Sequence, residues 1–113
     1  MKTIIKRVYD FNGDNNSIKV LVDRIWPRGI KKEKLNVDIW AKELAPSNEL
    51  RKWFNHDDNK FNEFQEQYIK ELNNNAYALD FKNKYKDDNV ILLYSASNTK
   101  CNNAVVLKYW LDN

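Results

Sequence analysis

The sequence predicts an α/β domain, with a small mixed, mostly parallel sheet flanked by helices in a single Rossmann-like layered unit spanning residues 1–113. Three observations carry that prediction. Two segments near the start are β-branched, an unbroken apolar run at residues 90–94 marks a strand buried on both faces, and between them apolar residues recur at helical spacing. A chain of 113 residues fits one domain whose core needs neither disulfide nor metal.

Residues 3–9 read as the first strand. Asn12-Gly13-Asp14-Asn15 follows as a turn, because Asn and Gly tolerate positive φ. Ile18, Val20 and Val22 alternate with Lys19, Leu21 and Asp23 in a second strand, expected to pair with the first as an antiparallel hairpin around Gly13. Pro27 stops that strand and Arg28-Gly29 turns the chain. Val37, Trp40, Ala41 and Leu44 match helical spacing, but the run is short and ends at Ala45-Pro46, so a strand is expected.

Ser47 is an N-cap without the acidic partner of a full capping box, with Glu49 in the first turn of a helix through Trp53. Phe61, Phe64, Tyr68 and Leu72 form the apolar stripe of the next helix, on which Glu63, Glu66 and Glu71 read as solvated surface. Asn73-Asn74-Asn75 ends it. Ala78, Phe81 and Tyr85 carry a further helix that stops at Asp87-Asp88-Asn89. The buried strand at 90–94, a polar loop at 95–100 and a helix at 103–111 complete the chain.

Composition excludes several chemistries. Two glycines sixteen residues apart cannot build a Walker-type phosphate loop or a dinucleotide fingerprint, and one Cys with one His cannot make a Cys/His zinc site. No metal site is expected, and the sequence leaves any cofactor open. A net charge of +3 falls short of a dedicated nucleic-acid binder. Aromatics at 13% argue for a folded chain. Fifteen lysines accompany only four arginines, so Arg7, Arg24, Arg28 and Arg51 stand out. The opening Met1-Lys2-Thr3-Ile4-Ile5-Lys6-Arg7 is charged too early for a signal peptide. With a lone thiol and no apolar run of about 18 residues, the expected location is the cytoplasm, away from any membrane.

Asp23-Arg24-Ile25-Trp26-Pro27-Arg28-Gly29 is the densest cluster of chemistry, at the carboxyl end of an expected strand, where ligands gather in open α/β sheets. Two guanidiniums beside an aromatic and a rigid proline suit a phosphate or carboxylate. Against that stands an ordinary turn in which Asp23 pairs with an Arg and Trp26 is core. The last loop offers Ser95, Asn98 and Asn102 ahead of a helix N-terminus, which favours an anion; the plainer reading is routine capping. Arg24, Trp26, Arg28, Tyr94, Ser95, Asn98 and Asn102 are therefore the candidate ligand-binding residues, with Trp26 or Tyr94 available to stack on a ring. No nucleophile–base pair can be named; Asp23 and His56 are the candidates for acid–base work. Cys101 reads as a small buried hydrophobe.

Leu-Val-Asp-Arg-Ile-Trp-Pro-Arg-Gly at 21–29 resembles the signature of the YeaO-like proteins of the domain-of-unknown-function family 488. The likeness continues through Trp40, Leu44-Ala45-Pro46-Ser47, Leu50-Arg51-Lys52-Trp53-Phe54 and His56, then Leu92-Leu93-Tyr94 and Asn102-Asn103-Ala104-Val105-Val106-Leu107. It implies a small cytoplasmic bacterial α/β protein and brings no settled activity with it. In that family a basic residue and a carboxylate commonly follow the Tyr-Xaa-Ala segment, and a histidine precedes the final helix. Here Ser97, Asn98 and Cys101 stand at those places. A site that depends on those groups would have lost its catalysis, though not its ligand.

Two functions follow as expectations. One is an enzyme, or degenerate enzyme, that binds a small phosphate- or nucleotide-like anion at the strand carboxyl ends. The alternative is a nucleic-acid or protein binding module without catalysis, for which basic residues interleave with aromatics. A homodimer joined through exposed aromatics is a further expectation.

Overall fold

A computed structural model describes residues 1–13 and 16–113. Its strands are β1 (Lys2–Arg7), β2 (Ile18–Leu21), β3 (Ile39–Trp40) and β4 (Asn89–Tyr94). The helices are α1 (Lys32–Leu35), α2 (Asn48–Phe54), α3 (Phe61–Asn73), α4 (Ala76–Lys84) and α5 (Asn103–Asp112). The sheet order is β1-β4-β2-β3, and every ladder among the described residues is parallel.

The α/β class is as expected, but the antiparallel hairpin around Gly13 does not form. β4 lies between β1 and β2, pairing Ile4 with Ile91 on one side and Val20 with Leu92 on the other. The reason lies in β4 itself. Val90, Ile91, Leu92 and Leu93 are apolar on both faces, so this strand belongs in the middle with a neighbour on each side. The segment that follows β1 instead lies on one face of the sheet, where Val8 and Phe11 pack with Leu21, Ile91 and Leu93. Asp14 and Asn15 of the expected turn lie outside the described residues.

β2 ends at Leu21, two residues short of the expected Asp23, and β1 and β3 are shorter than expected for one reason. β1 ends at Arg7, opposite Tyr94, where its partner strand also ends, and the chain turns into a 3-10 helix at Val8–Asp10. Instead of a strand across 37–44, only Ile39–Trp40 is extended. Beyond Ala41, which donates to the Leu21 carbonyl, β2 offers no further partner, and Lys42–Leu44 coils into a 3-10 turn. α1 had no periodic signal, being a single turn.

The helical face of the sheet carries the larger core. Val20, Val22, Val90, Leu92 and Tyr94 meet Phe54, Phe64, Tyr68, Leu72 and the inner face of α5. The opposite face is closed by loops and α1, with Trp26, Ile30, Leu35 and Trp40 over Leu21, Ile91 and Leu93. Among the described residues no helix is long and apolar enough to cross a membrane. Because all strands run in parallel, their carboxyl ends converge on one edge of the molecule, where Asp23, Ser95 and the segment after β3 meet.

A candidate anion pocket at the strand carboxyl ends

Asp23 ties that edge together. One carboxylate oxygen accepts from both the Ser95 backbone N–H (2.8 Å) and its hydroxyl (2.6 Å). The other accepts from the Asn103 side-chain amide at 3.2 Å, and that amide also reaches the Val22 carbonyl at 3.1 Å. The Trp40 indole N–H donates to the Asp23 carbonyl at 2.8 Å. A single residue thus links the ends of β2, β3 and β4 to the first turn of α5.

A second clamp of the same form stands one layer away. Glu71 on α3 accepts from the Ser47 N–H (2.9 Å) and hydroxyl (2.7 Å), while the Ser47 oxygen caps α2 through Leu50 N–H at 3.1 Å. Ser47 lacks a capping-box acid in its own helix, and Glu71 supplies it from another. Glu71 is therefore not the solvated residue its sequence position suggests; it is half-buried and bonded. Glu63 and Glu66 are exposed.

Beside the Asp23–Ser95 clamp lies a pocket of about 160 Å³. Its floor and walls are apolar: Ala45 and Pro46 from the segment before α2, Phe54 from the end of α2, and Phe64 from α3. The two phenyl rings stack with centroids 4.2 Å apart. Arg24, Arg51 and His56 bring the basic groups, and Asp23, Ser95, Asn102 and Asn103 the polar edge. Ile25, 61% exposed, stands in the wall as well.

Arg24 is the chemically unfinished group. One terminal nitrogen makes long bonds to the Ala45 carbonyl (3.5 Å) and the Pro46 carbonyl (3.3 Å). Its Nε is buried with no partner, and among the described residues no carboxylate lies within ion-pairing distance. A part-buried guanidinium with no carboxylate beside it gives up part of its hydration without an ion pair in return. Beneath the pocket, burial raises the Tyr68 hydroxyl far above the ordinary tyrosine range; the charges of Asp23 and Glu71 add to that and Arg24 opposes it. Tyr68 therefore stays neutral and donates to the Leu44 carbonyl at 2.5 Å.

His56 sits on the rim with φ +57, directly after Asn55 at φ +45. Asn55 closes α2 by donating to the Arg51 carbonyl, and the second left-handed residue swings the chain so that the exposed imidazole borders the pocket. Left-handed backbone is uncommon for residues other than Gly, though Asn and His tolerate it better than most.

Of the residues singled out from sequence, Asp23, Arg24, Ser95, Asn102 and His56 border this pocket. The others stand elsewhere. Trp26 packs on the loop-covered face, edge-on to Trp40 at 5.2 Å, with its indole donating to Ile30. Arg28 is exposed, and its carbonyl accepts from the Tyr9 hydroxyl at 2.9 Å. Tyr94 is 3% exposed in the helical-face core, its hydroxyl raised by burial against the opposing pull of the Asn102 amide and Arg7. Asn98 knots the last loop, accepting from the N–H groups of Lys100 and Cys101 and donating to Asp58. Asn102 caps α5 through Val105 N–H and donates to the Asn98 carbonyl, so both ends of its amide are used.

Arg51, Phe54, Phe64 and Asn103 were not legible as site residues. The scarcity of arginine flagged Arg51; nothing local distinguished Phe64 from a core residue. Among the described residues no group of three or more His, Cys, Asp or Glu is placed to hold a metal.

A family model described as the inactive DUF488-N3 subclade matches residues 2–113. The chain is 45% identical over 107 residues to the uncharacterized protein YeaO of Escherichia coli (strain K12), covering 94% of this chain and 93% of that one. It is 46% identical over 78 residues to uncharacterized proteins of Mycobacterium tuberculosis (strain ATCC 25618 / H37Rv) and Mycobacterium bovis (strain ATCC BAA-935 / AF2122/97). Those matches cover 69% of this chain and 66% of each mycobacterial one. No solved structure gives a significant match.

Proposed function

This chain belongs to the inactive DUF488-N3 subclade, and we propose that it binds a small anion in the pocket at the strand carboxyl ends without turning it over. The observation that carries the reading is Arg24, a part-buried guanidinium with an unpartnered Nε and no counter-ion. An anion beside it would offset the desolvation of that charge, and Arg51 and His56 stand on the same rim to help.

Two features support binding over catalysis. Among the described residues that line the pocket, Ser95 and Asp23 are the one hydroxyl–carboxylate pair; the Ser95 hydroxyl and one Asp23 oxygen already join β4 to β2, and the other Asp23 oxygen accepts from Asn103 on α5. Ser47 and Glu71 repeat the same clamp at a helix cap, which marks it as a joining device. The second feature is the loop bearing Ser97, Asn98 and Cys101, the three departures from the family pattern. There the Asn98 side chain is spent on bonds within the protein: its oxygen holds the loop's own turn and its amide N–H donates to Asp58.

Calorimetric titration of the full chain with small carboxylates and inorganic phosphate tests the proposal. Arg24→Ala should weaken binding by tenfold or more, on the order of one charge-assisted hydrogen bond. Arg28→Ala, outside the pocket, should leave it within about twofold. Equal losses from both variants, or none from either, would remove Arg24 from the role.

A further inference from the structure

The reading above leaves the ligand's class open between phosphate and carboxylate, and the pocket narrows it. Resting on that reading, we infer that the ligand is a monocarboxylate with an apolar body about the size of one ring, such as an aromatic or branched-chain acid. The pocket's volume of about 160 Å³ is close to that of an apolar cavity, roughly 150 Å³, that accepts a single benzene. It is well below the roughly 300 Å³ at which sites for drug-sized ligands begin.

The chemistry of the walls agrees. Ala45, Pro46, Phe54 and Phe64 give apolar surface that an inorganic anion would not use. Ile25 is the most exposed of the large apolar side chains in the described structure, at 61%, and it stands at this pocket. A ligand with an apolar body would cover it and gain hydrophobic free energy in proportion to the area removed from water. Charge sets the other limit. The lining holds two guanidiniums, Arg24 and Arg51, the latter also reaching Asn48 Oδ1 at 3.4 Å, against the Asp23 carboxylate, a formal sum of +1 that one negative charge neutralises and a second would leave uncompensated. The guanidinium fork takes a carboxylate in the bidentate manner as it would a phosphate, so the apolar walls make the choice between them.

The experiment is calorimetric titration of the full chain with benzoate, acetate, inorganic phosphate and benzyl alcohol at one ionic strength. Benzoate should bind more tightly than acetate or phosphate by about tenfold or more, as expected from the added apolar area. Ile25→Ser should weaken benzoate by about threefold or more and leave acetate unchanged, and this exposed substitution should not disturb the fold. If phosphate or acetate binds as well as benzoate, the ligand class is overturned while the anion reading stands. If benzyl alcohol binds as well as benzoate, the pocket is apolar only and both fall. If none binds at millimolar concentration, both fall too.

Discussion

At the scale of single residues, Asp23 shows how a motif that looks chemical can be architectural. Its position after a strand, beside two arginines, suggested recognition or acid–base work. The structure has its carboxylate accepting from Ser95 twice and from Asn103 once. Those partners are 72 and 80 residues away in sequence, so no local pattern could announce them. The same holds for Glu71 and Ser47. Tyr68 provides a residue-scale prediction. Its folded hydroxyl is raised, chiefly by burial, so it favours the protonated form in the native state. Its contribution is therefore fully present below the unfolded tyrosine value of about 10 and is lost as pH climbs from there. Urea melts of wild type and Tyr68→Phe should run in parallel below about pH 9, with a constant offset of about 1 kcal/mol for the lost bond to Leu44. Above about pH 10 the wild type should lose up to roughly 1.4 kcal/mol per pH unit relative to the variant. Parallel curves through alkaline pH would show that Tyr68 ionises as readily folded as unfolded.

At the scale of elements, legibility followed the strength of the periodic signal. α3 begins at Phe61 and buries Phe64, Tyr68 and Leu72, as its spacing requires. α5 and β4 also lie where their apolar patterns put them. The expected hairpin failed because turn chemistry describes only four residues, whereas strand pairing is decided by which strand must be buried on both faces. α1 escaped notice because one turn has no period. The central place of β4 makes a stability prediction. Leu92, 0% exposed and paired with both Ile5 and Val20, should cost about 2–5 kcal/mol when truncated in Leu92→Ala, read by denaturant unfolding. Glu66→Ala, on the exposed face of α3, should stay within about 0.5 kcal/mol. A Leu92→Ala loss below about 1 kcal/mol would mean that β4 is not the packed centre of the sheet.

At the scale of the whole molecule, four parallel strands bring their carboxyl ends to one edge, and the pocket follows from that convergence. This much was readable: the strand ends after Val22 and Tyr94 do meet, and Arg24 and Ser95 meet with them. The partition of the remaining candidates was not. Whether a side chain beyond a strand end turns toward the helical face or the loop-covered face depends on tertiary packing. Arg24 borders the pocket among the helices, while Trp26, two residues on, packs over the opposite face. The sequence treated Arg24 and Arg28 as one anion site; the structure separates a guanidinium in a pocket from one on the open surface. The central claim, an anion on Arg24, is tested most directly by anomalous diffraction from crystals of the full chain soaked in bromide. The strongest peak should lie in the pocket within contact distance of the Arg24 and Arg51 guanidiniums. Peaks confined to Arg28 and the surface lysines, with none beside Arg24, would contradict it.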